Sequence, residues 1–507
     1  MRARHLVLLA LAATAALAAR PAVGTAQDTT KVTTPDTAGA PKRDTTAVPV
    51  PGARDTTRAD SARGGVGLRK HPILALLQMT SVNIFVNRMD AWVLNVSDPP
   101  PVGHYANVTL QSWGVNIRHG WVWDTDAFQV NMFMHPFQGA AYFRSGRVNG
   151  LNFWESTPLP FLGSLEWEFF GEKTLPSLND LYNTGFGGIA LGEMTWRMAP
   201  LIRDNRARGL GRFVRELLAF PIDPTGAVRR VLNGEAWRSL PNPRGSYPGA
   251  FDWVFQGGMQ NGVDSGATLH HRTTAEALVE MSYGDPFVTP YSQPFDVFQV
   301  RLRAGTGSGG NVKEFRVTGR LWAHELTDTA ATFRSILTVM QKLEFESSPA
   351  FKYGGQSLNI GFVSGIALGG GWDLQTSLYG EGIMLGAVDA PRSGAAGTDR
   401  TYDFGPGLGF SVNASLRTGG FQVLTARWHG AYLHSVSGAS ADTYTQFPSI
   451  EAAVPLTGSF GIGGYAGFYH RRSSYVGQPG ESASSPEYRV FLVLHTHRGA
   501  LPGEPAR

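Results

Sequence analysis

Phe298-Gln299-Val300-Arg301-Leu302-Arg303-Ala304 is the stretch that decides the fold. Its apolar residues fall at every second position, with Gln299, Arg301 and Arg303 between them. Successive side chains of a strand point to opposite faces, so this segment asks for an apolar medium on one side and water on the other. The same grammar recurs downstream. Phe315, Val317, Gly319, Leu321 and Ala323 alternate with Arg316, Thr318, Arg320, Trp322 and His324. Tyr488, Val490, Leu492 and Leu494 alternate with Arg489, Phe491, Val493 and His495. Glycine-rich turn signals separate such runs at 305–310, 369–371, 390–398, 419–420 and 437–438. Between residues 250 and 497 the pattern predicts about 12 strands, an even number, long enough to cross a bilayer at a tilt.

A soluble β-sandwich also alternates. Two features favour a membrane barrel. Aromatic residues sit near strand ends (Trp372, Tyr379, Trp428, Tyr432, Tyr465, Tyr469, Tyr488), as an interfacial girdle requires. Charge also gathers on one face of the clearest strands. Arg301, Arg303, Arg316, Arg320, Arg427 and Arg489 would then line the lumen, either favouring anions or pairing with carboxylates from upstream. Outer-membrane lipid is the expected partner of the opposite face.

The N-terminus agrees with this compartment. Arg2 and Arg4 precede an Ala/Leu/Val-rich run from Leu6 to Ala19, and Gly24 and Ala26 occupy positions a signal peptidase reads. The run is short for a membrane span and predicts a signal peptide over 1–26, with export to a Gram-negative outer membrane. Removing Arg2, Arg4 and Arg20 from the 44 basic residues leaves 41 against 40 acidic ones, so nothing electrostatic points to nucleic acid. With no cysteine there is neither a disulfide framework nor a thiolate metal site. The 62 glycines, 11% aromatics and 17% charged residues suit a glycine-punctuated β structure. Residues 27–66 repeat Asp-Thr-Thr among Pro, Ala and Arg, a composition that predicts a disordered linker. Residues 498–507 read as a tail.

Residues 67–245 are mainly helical in pattern, which makes the fold class α+β: a helical segment followed by an antiparallel transmembrane barrel. An amphipathic helix is expected over 72–88, with helix or strand over 107–134. Ser177 with Asp180 three residues on reads as a variant capping box. Thr184, Gly188 and Gly192 follow at spacing four, a small-residue ridge that lets another element come close. Short helices are expected over 208–219 and 225–233, separated by Pro221 and Pro224.

Within this segment lie Trp123-Asp124-Thr125-Asp126-Ala127-Phe128, Asn131, His135-Pro136-Phe137-Gln138-Gly139, Arg147 and Asn152-Phe153-Trp154. Gly163-Ser164-Leu165-Glu166-Trp167-Glu168-Phe169-Phe170-Gly171-Glu172, Pro176-Ser177-Leu178-Asn179-Asp180, Gly187-Gly188, Glu193, Arg197 and Gly234-Glu235-Ala236-Trp237-Arg238 continue it. On these residues the stretch from about 105 to 240 resembles a bacterial family known as domain of unknown function 3943. The resemblance implies a cell-envelope protein and supplies no activity, substrate or site residue.

The residues themselves leave two readings open. In one, His135 with Glu168, Glu172 or Asp180 forms an acid/base or metal site acting on an envelope lipid or cell-wall glycan. In the other, Asp124, Asp126, Arg144, Arg147, Glu193 and Arg197 join the same residues in ion pairs that merely fasten helices together. Glu168 and Glu172, four apart, are expected on one helix face. His135 is also expected to be extended ahead of Pro136, where a helix could begin. No metal ligand set and no cofactor is assigned, since no H-E-x-x-H or nucleotide-binding motif stands in its required context. A small anionic or lipid ligand is compatible with the arginine face. The helical segment is expected to plug the barrel or cap its mouth, giving a structural, binding or passage role.

Overall fold

A computed structural model describes residues 69–97, 105–242, 248–264, 270–306, 311–328, 332–389 and 400–499. The expected signal peptide and linker, and residues 500–507 of the expected tail, lie outside these. Twelve antiparallel strands close into a barrel. They are β1 (Ala250–Asp264), β2 (His270–Tyr283), β3 (Phe298–Gly305), β4 (Val312–Glu325), β5 (Phe333–Ser347) and β6 (Lys352–Gly369). There follow β7 (Trp372–Asp389), β8 (Tyr402–Thr418), β9 (Phe421–His434), β10 (Ala441–Pro455), β11 (Phe460–Tyr475) and β12 (Glu481–Gly499). Each strand pairs with its sequence neighbours, and β1 closes on β12 with Phe255 opposite Leu494. The turns at 370–371 and 419–420 are two residues long, and Gly370, Gly371 and Gly419 take positive φ there, which only glycine adopts freely.

The alternation seen in the sequence separates two environments. Leu408, Phe410 and Val412 on β8, and Tyr488, Val490, Leu492 and Leu494 on β12, are exposed on the outer wall. A wall of this kind is stable only in hydrocarbon, so the barrel spans a membrane. The lumen holds the charged set. Arg303, 1% exposed, reaches Glu276 (3.2 Å), Glu346 (2.9 Å) and Glu487 (3.0 Å), and donates to the Tyr469 hydroxyl (3.2 Å). Arg301 pairs with Glu280 and Glu314, and Lys342 with Glu381 (2.6 Å) and Glu344 (2.7 Å). Among the described residues the lumen arginines thus pair with acids of the barrel itself, on adjacent strands and across the lumen, and not with carboxylates of the helical segment.

The helical part comprises α1 (Pro72–Ser97), α2 (Leu110–His119), α3 (His135–Val148), α4 (Phe153–Ser156), α5 (Pro158–Glu166), α6 (Leu178–Tyr182), α7 (Gly188–Ile202), α8 (Gly209–Ala219) and α9 (Pro224–Leu232). Three π-helical turns interrupt it, at Val130–Met134, Trp167–Gly171 and Asn183–Gly187. The stretch left open as helix or strand is helical at α2 and at the first π turn.

Among the described residues the helical segment packs on the barrel's outer wall rather than filling its lumen as a plug. Phe143, Ile189, Met194 and Met198 share a core with Phe298, Val300, Val317 and Leu343. Those four strand residues alternate with Arg301, Arg316, Lys342 and Glu344, which face the lumen. Helix contacts therefore fall on the outer wall. Phe128 and Phe133 against Phe345, and Met132 over Gly354, carry the same packing toward β6. The reason is apolar matching: the lumen is already filled by charge, and the outer face of β2–β8 offers the hydrophobic surface.

Candidate functional site

Backbone hydrogen bonds first bring two distant segments together. Val122 donates to Pro176 O and Leu178 to Val122 O, each at 2.8 Å. This sets Asp124 beside Asn179, whose side-chain Nδ2 donates to Asp124 Oδ1 at 2.8 Å and to Asp180 Oδ1 at 2.8 Å. Asn131, fully buried in the first π turn, donates to Asp124 Oδ1 (3.2 Å) and to the Tyr402 hydroxyl (2.7 Å). Tyr402 in turn donates to Asp126 O at 2.6 Å, so β8 forms one wall of the site at its rim. Gln356 of β6 donates to Asn183 Oδ1 at 2.9 Å.

Four residues singled out from the sequence meet here. His135 Nε2 lies 3.2 Å from Asp180 Oδ1, yet it is not aligned for a hydrogen bond and stays unpartnered among the described residues. Glu168 accepts from Ser177 N at 2.8 Å, and Asn116 braces the carbonyls of Glu168 (3.2 Å) and Glu172 (3.0 Å). Asp126 is exposed, and Asp124 and Glu172 are half-buried, so the cluster reaches the surface on that side.

Several local expectations are corrected. Ser177 makes no side-chain cap; Asp180 turns inward to His135 instead. Glu168 lies in a π turn and Glu172 is extended (φ −141°, ψ 163°), so the two do not share a regular helix face. His135 is helical (φ −63°, ψ −48°), not extended. Pro136 has no N–H to give, and the π turn just before it absorbs the missing bond.

The polar network of the sequence divides in two. Glu193 is held by Arg147 (2.9 Å) and Arg197 (2.8 Å), and Asp223 by Arg144 (3.5 Å) and Arg203 (2.8 Å). Arg197 also donates to Pro294 O (2.8 Å), stitching α7 to the β2–β3 loop. These are fastenings. Asp124, Asp126, Glu168, Glu172 and Asp180, by contrast, have no lysine or arginine ion pair among the described residues; Arg400 donates to the Asp124 carbonyl, not its carboxylate.

The consequence is protonation. Burial, then the neighbouring acids, holds Asp180 well above the ordinary carboxylate range. Glu168 is raised likewise, by burial and then by Glu172. Burial pushes Glu172 up to about 8, and Asp124 is raised by burial and by Asp126. Burial takes His135 down to about 4, against the pull of Asp124. The surroundings therefore disfavour the charged form of the acids and of the imidazole alike.

Asp124, Asp126 and His135 each offer a ligand atom within 4.8 Å of the others, the reach of a metal site. Glu344, Glu381 and His429 in the lumen do the same, but there the Lys342 ammonium already supplies the cation. Asn131 and Asn179, read from the sequence only as carriers of the family resemblance, and Asn183 and Tyr402, which the sequence did not mark, belong to the site. The asparagines lie within or beside the π turns and Tyr402 comes from β8, a convergence that only the folded backbone displays.

Solved structures similar to this chain are barrels. They include the NanC porin (11% identity, TM-score 0.25, covering 48% of this chain and 98% of that one). The outer membrane channel DcaP of Acinetobacter baumannii also matches (8%, 0.21, 49% and 96%), as does the loop L8 deletion mutant of OmpT, an outer membrane protein of Vibrio cholerae (10%, 0.21, 48% and 99%). No curated protein matches this chain. Residues 120–225, which hold His135 and all five unpaired carboxylates, match the family described as Domain of unknown function (DUF3943).

Proposed function

We propose that the barrel is the anchor and the helical segment the working part, an acid–base centre acting on a lipid or glycan of the cell envelope. One observation carries this reading: five converging carboxylates go without arginine or lysine in a segment that pairs Glu193, Asp223 and Glu216 with care. Groups with perturbed protonation, gathered where they reach the surface, are a functional-site signature. The Glu172 carboxyl is protonated at neutral pH and can donate, while neutral His135, with Asp180 beside it, can accept. The π turns at Asn131, Glu168 and Asn183 support the same reading, since such turns concentrate at functional sites.

The test uses opposite signs of stability. A fastening loses stability when broken; Glu193→Gln should cost about 3–5 kcal/mol, because Arg147 and Arg197 are left with a weakened partner. Glu172→Gln and Asp180→Asn instead remove the cost of burying an ionisable acid without a cation and should raise thermal stability by roughly 0.5–2 kcal/mol. The same two variants should abolish any change in envelope lipid or glycan, read by mass spectrometry, that the wild-type protein produces when expressed. Should both variants destabilise the protein as Glu193→Gln does, the cluster is scaffolding and the acid–base reading fails.

A further inference from the structure

The helices turn the wrong side outward for a domain in water. On α1 the inward stripe is Ala75, Met79, Asn83, Asn87 and Ala91, and both asparagines hydrogen-bond the protein: Asn83 to Gly163 O (3.0 Å), Asn87 to Ala106 O (2.8 Å) and Gly171 O (2.7 Å). Its outward side carries Ile73, Leu77, Ile84, Phe85 and Trp92, the last 70% exposed. The exposed hydroxyl among them, Ser81, is satisfied within the helix by Leu77 O at 2.7 Å. From Pro72 to Asn87 the exposed face bears no charge. A water-soluble amphipathic helix has the reverse arrangement, apolar inside and polar outside.

Helix α8 repeats the inversion. Arg212 is buried and donates to Asp204 O (2.8 Å) and Glu235 O (2.6 Å), while Leu210, Phe213 and Leu217 are exposed. Polar groups turned toward protein and leucines turned away are what hydrocarbon selects.

We propose that the outward faces of α1 and α8 contact the acyl chains of the bilayer, making the helical segment a lateral, lipid-facing part of the membrane protein. Continuity identifies the occupant. The helices pack on the outer wall of β2–β8, and the uncovered wall beside them is the apolar belt of Leu358, Ile360 and Phe362 on β6 and Leu408 on β8. The exposed apolar faces of the helices match that belt in character. No helix among the described residues is long and apolar enough to cross a membrane alone, so the contact is sideways against the barrel. This inference is independent of the chemistry proposed for the His135 cluster.

The chain has no cysteine, so single cysteines can be placed without background. Spin labels at Phe85→Cys and Leu217→Cys would be compared with Leu408→Cys in the lipid belt and Thr457→Cys, exposed in the β10–β11 turn. Purified full-length protein is reconstituted in phosphatidylcholine vesicles, with the heat-dependent gel shift confirming an assembled barrel. Collision with dissolved oxygen and with a water-soluble nickel complex is then measured. The expected result is an oxygen-to-nickel ratio at Phe85 and Leu217 close to that at Leu408 and many times that at Thr457. Labels that behave like Thr457 place the faces in water and overturn the proposal. Labels shielded from both reagents and broadened by one another assign the surface to a second copy of the chain, and overturn it equally.

Discussion

At the scale of residues, the His135 cluster has a pH dependence whose sign can be worked out. Glu172, raised to about 8, holds its proton more tightly in the folded protein than in the unfolded chain. Its contribution to stability is full below the ordinary carboxylate range and is lost as pH rises through about 8. His135, lowered to about 4, behaves oppositely: its contribution is present above the ordinary imidazole range and lost as pH falls through about 4. Limited proteolysis of the helical segment should therefore quicken as pH rises through about 8, with the barrel intact, and Glu172→Gln should flatten that rise. A wild-type rate that is level across this range would show that Glu172 does not titrate there. The acids and His135 were legible in the sequence because charge amid apolar helix is conspicuous. Asn131 and Asn179 were not, since an amide in a helix looks like any solvated position until Asp124 is found against it. Tyr402 enters from another part of the chain altogether, through a hydrogen bond spanning 271 residues.

At the scale of elements, the ridge read from Thr184, Gly188 and Gly192 is the contact between α3 and α7. A Cβ at Gly188 would stand 2.5 Å from the Gly139 carbonyl carbon, a backbone atom that cannot step aside. At Gly192 the nearest obstacle is Phe143 Cβ at 2.8 Å, tied to its backbone but farther off. Gly188→Ala should thus cost about 1–3 kcal/mol by overpacking, and Gly192→Ala less. The readout is release of the helical segment to protease while the heat-dependent gel shift of the barrel persists; equal tolerance of both substitutions would show that the ridge does not hold the helices. The spacing was legible because close approach requires small residues whatever the partner. The partner, Gly139, was not, and neither were the π turns, because a single inserted residue leaves the apolar period almost unchanged. This is why Glu168 and Glu172, four apart in sequence, do not share a regular face.

At the scale of the whole molecule, the barrel was legible and the place of the helices was not, for one physical reason. Phe298 and Val300 are apolar because they face away from the lumen, and an apolar residue is equally suited to lipid or to a helix laid over it. Alternation fixes the face, never what covers it. The lumen decides what the barrel itself does. Arg303 ties β3 to β2, β5 and β12, and beside it Phe351, Tyr353, Leu433 and Tyr469 form an apolar layer with Phe447 packed against it. A cavity of about 320 Å³ lies in the lumen, lined among others by Arg316, Lys342, Asn413, Arg427, Phe447 and Tyr469. Passage through the barrel would require these layers to part. Wild-type protein in a planar bilayer should therefore give conductance near baseline. Removing Arg303 alone would strand three glutamates, so the informative variant combines Arg303→Ala with Glu276→Gln, Glu346→Gln and Glu487→Gln, which deletes the tie without leaving those charges buried and unpaired. With the gel shift retained, this variant should show discrete conductance steps absent from the wild type. Stable, large openings of the wild-type protein would mean that the layers part in the membrane, and would return the barrel from anchor to passage.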